Sequence, residues 1–280
     1  MKKFLSTLLV IIAVVGLAAC NSKDEDAGAT GTANSEDKKE IRIGATAGPY
    51  SDQLKEGIIP LLEEEGYTVK ITEFNDYIQP NRALDEGSID VNLFQNRIYL
   101  TNFNKEHGLD LVPAYAVPTA PIALYSERHD SLEDIKEGMK ITLPNDPTNL
   151  ARSLHMLESY GWITINKDVN PTTASEKDIE ENKFNLNVVP LDPAQTPRSL
   201  GDSDFAFING NFALASGLQL DGAVDVEKTP EDFLIYITVR NGEEEEPWAK
   251  ALEEAYKSES FLEYTNEHSK GYVKPPYQLN

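Results

Sequence analysis

The 280-residue chain contains one cysteine, and that scarcity removes several chemistries together. Disulfides, cysteine-based metal sites and a thiol nucleophile are excluded from everything beyond Cys20. Basic residues are few as well, with 25 Lys and Arg against 47 Asp and Glu. A balance so acidic argues against gripping a phosphate backbone, so nucleic acid is not an expected partner. The four histidines, His107, His129, His155 and His268, are scattered. None stands beside an acid and a nucleophile in a recognisable arrangement. Gly-x-Ser-x-Gly, His-Glu-x-x-His and Walker patterns are all missing, so an enzyme is not expected. Asp85, Glu86 and Asp90 lack the spacing of a calcium loop and read as a solvated helix end. No metal or cofactor is implied. Beyond Leu17 there is no second long apolar run to span a membrane, and no internal repeat has a fixed period.

What is present begins with a leader. Lys2 and Lys3 precede an apolar stretch from Phe4 to Leu17, and Leu17-Ala-Ala-Cys20 follows. A signal peptide ending in small residues and a Cys has the form of a bacterial lipobox, with residues 1–19 removed and Cys20 lipidated. The expected address is the outer face of a cell membrane, held by the lipid. Loss of 1–19 removes two lysines and leaves a formal charge of −24. Residues 20–40 carry no large apolar side chain, which suits a disordered tether. The remaining 240 or so residues suffice for two modest domains or one large one.

Along this body, strands alternate with helices. Strand patterns occur at Ile41–Ala45, Thr68–Thr72 and Ile89–Phe94. Helix patterns cover Ser51–Glu65, where Pro60 should bend or split the helix, then Pro80–Glu86, and Arg97–His107 with Gly108 as the stop. This is the rhythm of βαβ units on a mostly parallel sheet. Leu111–Ser126 breaks it with two apolar runs interrupted by Pro118 and Pro121, a natural place to cross to a second lobe. There the pattern predicts a helix over Ser131–Gly138, a strand at Met139–Leu143 and a helix from Pro147 with Asp146 as its cap. A loop-rich stretch, Trp162–Asn185, follows, then strands at Leu186–Val189 and Ser203–Ile208. A short helix opens at Asn209–Asn211. Phe233–Val239 reads as a strand returning to the first lobe, and helices from Pro247 towards His268 end the chain. Two lobes joined by two crossings enclose a cleft that can close on a small ligand.

Four segments follow the carboxyl ends of strands, the side on which open α/β sheets bind ligands. They are Phe74–Leu84, Asn92–Gln95, Pro144–Leu154 and Ile208–Asn211. In the third, Leu150, Leu154 and Leu157 share one helix face, and Arg152 lies about 200° from Leu150, pointing away from the core. Read alone, this is either an anion-holding turn or an ordinary connection with a solvated Arg. With Asn and aromatic residues in the other segments, the set suits a zwitterion with an apolar group. Arg would clamp the carboxylate, amide oxygens would accept from the ammonium, and Tyr or Phe would pack the side chain.

The same segments resemble the NlpA/MetQ lipoproteins, the methionine-uptake binding proteins of ABC importers. The resemblance rests on Gly44-Ala-Thr-Ala-Gly-Pro49, Asp76-Tyr-x-x-Pro-Asn-x-Ala-Leu84, Asp90-x-Asn-x-Phe-Gln95 and Pro144-Asn-Asp-Pro-Thr-Asn149. Pro121-Ile-Ala-Leu-Tyr-Ser126, Ala194-Gln-x-Pro-Arg-Ser-Leu200 and Ile208-Asn-Gly-Asn211 extend it, over residues 41 to 273. It implies a two-lobed periplasmic-binding-protein fold of type II-like form with two crossover strands. Lobe I would comprise 41–122 plus 237–280, and lobe II 123–236. It also implies delivery of the ligand to a membrane permease driven by an ATPase. By resemblance Arg152 holds the ligand carboxylate and Tyr77 and Phe94 line the side-chain pocket, with Gln95, Asn149, Asn209 and Asn211 as further polar candidates. Two positions depart from the family pattern: Asn96 stands where His is usual, and Ile235 where methionine binders place an Asn in a Tyr-x-Asn sequence. Free methionine, a short peptide ending in methionine and another apolar amino acid all remain open as ligands. So does a surface lipoprotein of this fold that has lost capture.

Overall fold

The computed structural model describes residues 39–279; the leader, Cys20 and most of the tether lie outside the described residues. Two five-stranded sheets form the frame. The first opens with β1 (Glu40–Thr46), which pairs in parallel with β2 (Thr68–Phe74) on one side and β3 (Val91–Asn96) on the other. Between β1 and β2 the expected single helix is broken into α1 (Pro49–Asp52), a π turn (Gln53–Ile58) and α2 (Ile59–Glu64). Pro60 has no N–H to donate and its ring clashes with the carbonyl one turn back, so the hydrogen-bond ladder widens just before it. Leu54, Ile58 and Leu62 are fully buried along one side.

α3 (Gln79–Asp85) joins β2 to β3, and α4 (Arg97–His107) follows β3 directly. Gly108 ends α4 at φ 69°, a left-handed conformation that glycine adopts without a Cβ penalty. β4 (Val112–Val117) lies at the far edge of the sheet. Asp90 corrects the expectation of a solvated helix end. It is fully buried, and its carboxylate takes the Arg42 Nη2 at 2.6 Å and the Arg42 backbone N–H at 2.8 Å, with Arg240 Nη2 3.6 Å away.

The second sheet holds β5 (Ala123–Tyr125), β6 (Lys140–Pro144), β9 (Asn187–Leu191), β10 (Phe205–Ile208) and β11 (Asp225–Val226), and β7 (Ile163–Ile165) with β8 (Ile179–Asn182) makes a separate two-stranded ribbon. β6 runs parallel to β10 and β9, whereas β5 is antiparallel to β10 and β11. The sheets are therefore mixed rather than mostly parallel. The segment Trp162–Asn185, expected to be loop, contains the β7–β8 ribbon. Ser131–Gly138, expected to be a helix, forms one 3₁₀ turn at Leu132–Asp134 with the Ser131–Asp134 capping box intact. None of the turn's residues is buried, so no apolar face supports propagation beyond it.

α5 (Pro147–Ser159) packs Leu154 and Leu157 against the second sheet, both fully buried. Each such leucine contributes roughly 1.5–3 kcal/mol by removal from water. After α6 (Gly210–Ala215) and β11, the chain returns as β12 (Ile235–Val239), which slots antiparallel between β3 and β4. All five of its residues are buried, and the strand last in sequence lies inside its sheet rather than at an edge. α7 (Pro247–Lys257) and α8 (Glu259–His268) divide at Ser258, which caps the second by accepting from the Phe261 N–H. The two crossings are tied together. The Ile235 N–H donates to Thr119 Oγ1 at 2.8 Å, and the Glu227 N–H donates to the Ile122 carbonyl at 3.1 Å. Among the described residues no helix is long and apolar enough to cross a membrane.

Candidate functional site

One cavity gathers the side chains that the segments beyond the strand ends supply. Its walls include Tyr50, Tyr77, Phe94, Gln95, Asn96, Tyr99, Thr119, Ala120, Asn149, Arg152, Asn209, Gly210, Asn211 and Ile235. All seven ligand-site residues expected from the sequence are among them. Strand geometry explains why. β3 ends at Asn96, β6 at Pro144 and β10 at Ile208, and each feeds a helix whose first residues face the same space.

The polar wall is uneven. Arg152 is 6% exposed, on a helix whose residues 148–154 are all buried. The expectation that it points away from the second sheet's core holds, but it meets protein rather than solvent. Its Nε donates to Glu227 Oε1 at 2.6 Å, its Nη2 donates to Glu227 Oε2, and its guanidinium carbon sits 4.8 Å from the centre of the Phe233 ring. The Thr229 hydroxyl donates to Glu227 Oε2 at 2.7 Å. Asn149 Nδ2 is held by the Asp146 carboxylate at 3.0 and 3.1 Å, while Asn149 Oδ1 is buried without a partner. Asp146 also accepts the Asn149 N–H as the helix cap, and burial raises its carboxyl above the usual range. Among the described residues, Asn209 Oδ1 and Asn211 Nδ2 are, like Asn149 Oδ1, buried and unpartnered. Buried polar atoms are ordinarily satisfied. Two orphaned acceptors and one orphaned donor around an Arg-lined cavity mark a place built for a polar guest.

Gln95 lines the cavity, but its amide is engaged elsewhere. Nε2 donates to Asn81 Oδ1 at 2.6 Å and to Asn92 Oδ1 at 3.1 Å, and Oε1 accepts from Asn81 Nδ2 at 2.9 Å. This buried amide network braces β3 against α3. Asn96 caps α4 by accepting from the Tyr99 N–H at 2.8 Å, a role for which Asn is among the best residues.

The apolar wall is aromatic. Tyr77 lies 5.6 Å from Phe94 and 5.9 Å from Tyr99 between ring centres, and 5.1 Å from Phe212. The Tyr77 hydroxyl donates to Asn211 Oδ1 at 2.6 Å, linking the β2–α3 connection to α6, and the Tyr99 hydroxyl donates to the Tyr77 carbonyl at 2.9 Å. Burial pushes the Tyr50, Tyr77 and Tyr99 hydroxyls upward, so they stay protonated near neutrality. Gly210 allows α6 to approach the crossing, because a Cβ there would fall 2.5 Å from the Pro121 carbonyl oxygen.

Sequence reasoning missed Tyr50, Tyr99, Thr119 and Glu227. Tyr50 and Thr119 carry a faint signal, since Tyr50 opens the helix just past β1 and Thr119 lies two residues past β4. Glu227 carries none, lying in an irregular stretch after a two-residue strand. Asn96 and Ile235, singled out as departures, are both cavity residues and are paired opposite one another across β3 and β12.

Comparison with known proteins places this geometry. A family model for the NlpA lipoproteins matches residues 41–277. The methionine-binding lipoprotein MetQ of Bacillus subtilis is 37% identical over 279 residues, covering 98% of each chain. Among solved structures, a nutrient-binding protein from Burkholderia cenocepacia bound to methionine superposes with a TM-score of 0.79 at 38% identity, covering 84% of this chain and 99% of that one. A periplasmic substrate-binding protein of an ABC transporter from Coxiella burnetii gives a TM-score of 0.78 at 33% identity, over 84% and 99% of the two chains. Sequence match and superposition agree, and the chain belongs to the NlpA lipoprotein family.

Proposed function

We propose that this protein is a lipid-anchored, non-enzymatic binding protein that captures methionine, or a related apolar amino acid or short methionine-containing peptide, for an ABC importer. One observation carries the reading: a buried Arg, two unpartnered amide oxygens, one unpartnered amide donor and an aromatic wall surround one cavity. Arg152 and Asn211 Nδ2 supply donors for a carboxylate, and Asn149 Oδ1 and Asn209 Oδ1 supply acceptors for an ammonium. Tyr77, Phe94 and Tyr99 offer ring edges and faces to a thioether or another apolar side chain. Gln95 acts one step back, through the amides of Asn81 and Asn92. The ligand of the Burkholderia relative, methionine, fits this division of labour. Lobe I is assigned to 41–122 with 237–280 and lobe II to 123–236, and the site lies where they meet. A site walled by buried side chains must open for an amino acid to enter, and parting of the lobes is the available motion. Cys20 carries the lipid on the extracytoplasmic face, and the permease with its ATPase receives the cargo.

Native mass spectrometry of the protein purified without added ligand, followed by calorimetric titration with L-methionine and methionine dipeptides, tests the reading. A retained or titrated ligand that is lost in Arg152→Ala supports it. Arg152→Ala binding as tightly as wild type refutes the clamp. A second reading, the same fold without capture, draws on the engagement of Arg152 by Glu227. Absence of binding by any amino acid or dipeptide would decide for it.

A further inference from the structure

Glu227 stands against the one cationic side chain of the cavity wall, and nothing in the proposed capture of a zwitterion requires an acid there. The carboxylate takes two of the five guanidinium N–H groups of Arg152, at Nε and Nη2, and leaves three for a ligand. Both side chains are under a tenth exposed. Glu227 is fixed in turn by the Thr229 hydroxyl and by its own N–H on the Ile122 carbonyl. Arg152 is thus oriented by a two-point contact on one edge and by the Phe233 ring on its face. The consequence is electrostatic as well as geometric. A lone buried guanidinium would draw any carboxylate, including a simple anion. Paired with Glu227 it is neutral as a unit, and a ligand bringing net negative charge would leave that charge uncompensated in a buried site. The other acid near Arg152, Asp146, adds no positive charge to relieve it.

We propose that Glu227 is a positioning and specificity-determining residue: it orients Arg152 and makes the site select net-neutral zwitterions over anions of the same shape. The assignment rests on the binding reading above and goes beyond it by naming the group that rejects the deaminated ligand.

The test compares L-methionine with 4-(methylthio)butanoate, the same skeleton without the ammonium, by calorimetry on the full-length lipoprotein in detergent. Wild type prefers methionine. Glu227→Gln keeps the shape and removes the charge, and is expected to narrow the preference by about tenfold or more, chiefly through tighter binding of the acid. Glu227→Asp retains the charge and should restore most of the preference, which a merely structural role would not do. A preference unchanged in Glu227→Gln overturns the proposal while leaving methionine capture intact. Wild type binding the acid as well as methionine also overturns it. Wild type binding neither compound refutes the capture reading itself, and the selectivity assignment falls with it.

Discussion

The Arg152–Glu227 pair allows a sharp stability prediction, because both charges are nearly removed from water. The side chains are 6% and 9% exposed. At an effective dielectric of about 20 and a charge separation of about 4 Å, their attraction is about 4 kcal/mol. Breaking a buried pair strands the remaining charge, which typically costs about 3–5 kcal/mol. Arg152→Met would leave Glu227 with the Thr229 hydroxyl and the backbone alone, and would also lose the contact with the Phe233 ring, worth about 0.5–2 kcal/mol. Glu227→Leu would leave all five guanidinium N–H groups of Arg152 without the acceptor that now takes two of them. Each single substitution should therefore lower the unfolding free energy by about 3–5 kcal/mol, or the melting temperature by roughly 6–20 °C for a domain of this size. The double substitution removes both charges and should lie within about 2 kcal/mol of wild type. The double-mutant cycle, measured by urea unfolding followed by circular dichroism without ligand, should thus show a coupling of several kcal/mol. Two singles costing under about 1 kcal/mol each, and adding in the double, would place the pair in the class of surface ion pairs. That result would refute the claim that it is buried.

Gly210→Ala should destabilise by about 1–3 kcal/mol and weaken ligand binding, since its Cβ would press against the Pro121 carbonyl at 2.5 Å and Ala120 Cβ at 2.6 Å; thermal melts and titration read both effects. Asp90→Asn should cost about 3 kcal/mol or more, because it removes the buried carboxylate that pairs with Arg42 and lies near Arg240, whose other acidic partner is Glu243; a urea midpoint equal to wild type would show the pair to be dispensable. Burial holds the Tyr115 and Tyr256 hydroxyls well above 10. A raised pKa means the native state keeps its proton longer than the unfolded chain, so this contribution is complete below about pH 10 and falls as pH rises beyond it. Neither hydroxyl has a hydrogen-bond partner. Tyr256→Phe should therefore leave stability at pH 7 near wild type and flatten the loss above pH 10, as followed by circular dichroism against pH.

How far the sequence foretold this site depends on how local each cause is. α4 runs over Arg97–His107 as its pattern predicts, because Asn96, the helix and Gly108 are adjacent in sequence. The Pro60 break was legible for the same reason, although the π turn that answers it was not. Ser131–Gly138 misled because a good cap starts a helix but only buried apolar contacts extend it. Arg152 was correctly turned from the second sheet's core, yet its partner sits 75 residues away in a stretch with no periodicity. The pairing of Asp90 is hidden from the sequence in the same manner, since Arg42 comes from β1 and Arg240 from just past the end of β12. Gln95, a polar candidate from the sequence, lines the cavity, while its engagement with Asn81 and Asn92 depends on how α3 packs against β3. Such long-range polar contacts are set by packing, and neither composition nor spacing records them.

The two departures from the family pattern gain meaning from register. Asn96 and Ile235 are direct partners across β3 and β12, and both line the cavity. Side chains on such a rung interact, so a change at one alters what the other can hold. Asn96 has its oxygen on the Tyr99 N–H, so one of its two lone pairs is committed to capping α4. Ile235 presents only methyl groups. In the proposed capture, the acceptors with no partner among the described residues, Asn149 Oδ1 and Asn209 Oδ1, are the ones assigned to the ammonium. Ile235→Asn should restore an acceptor on the β12 side and tighten methionine binding by about tenfold, at a stability loss of about 1–3 kcal/mol without ligand. Asn96→His alone should weaken the α4 cap by about 1 kcal/mol. The two changes together should not add, because the introduced imidazole and amide would meet on the same rung. Calorimetric titration of the four proteins reads the coupling directly. Additive effects within a factor of two would show that positions 96 and 235 act on the ligand independently, and that the rung is incidental to specificity.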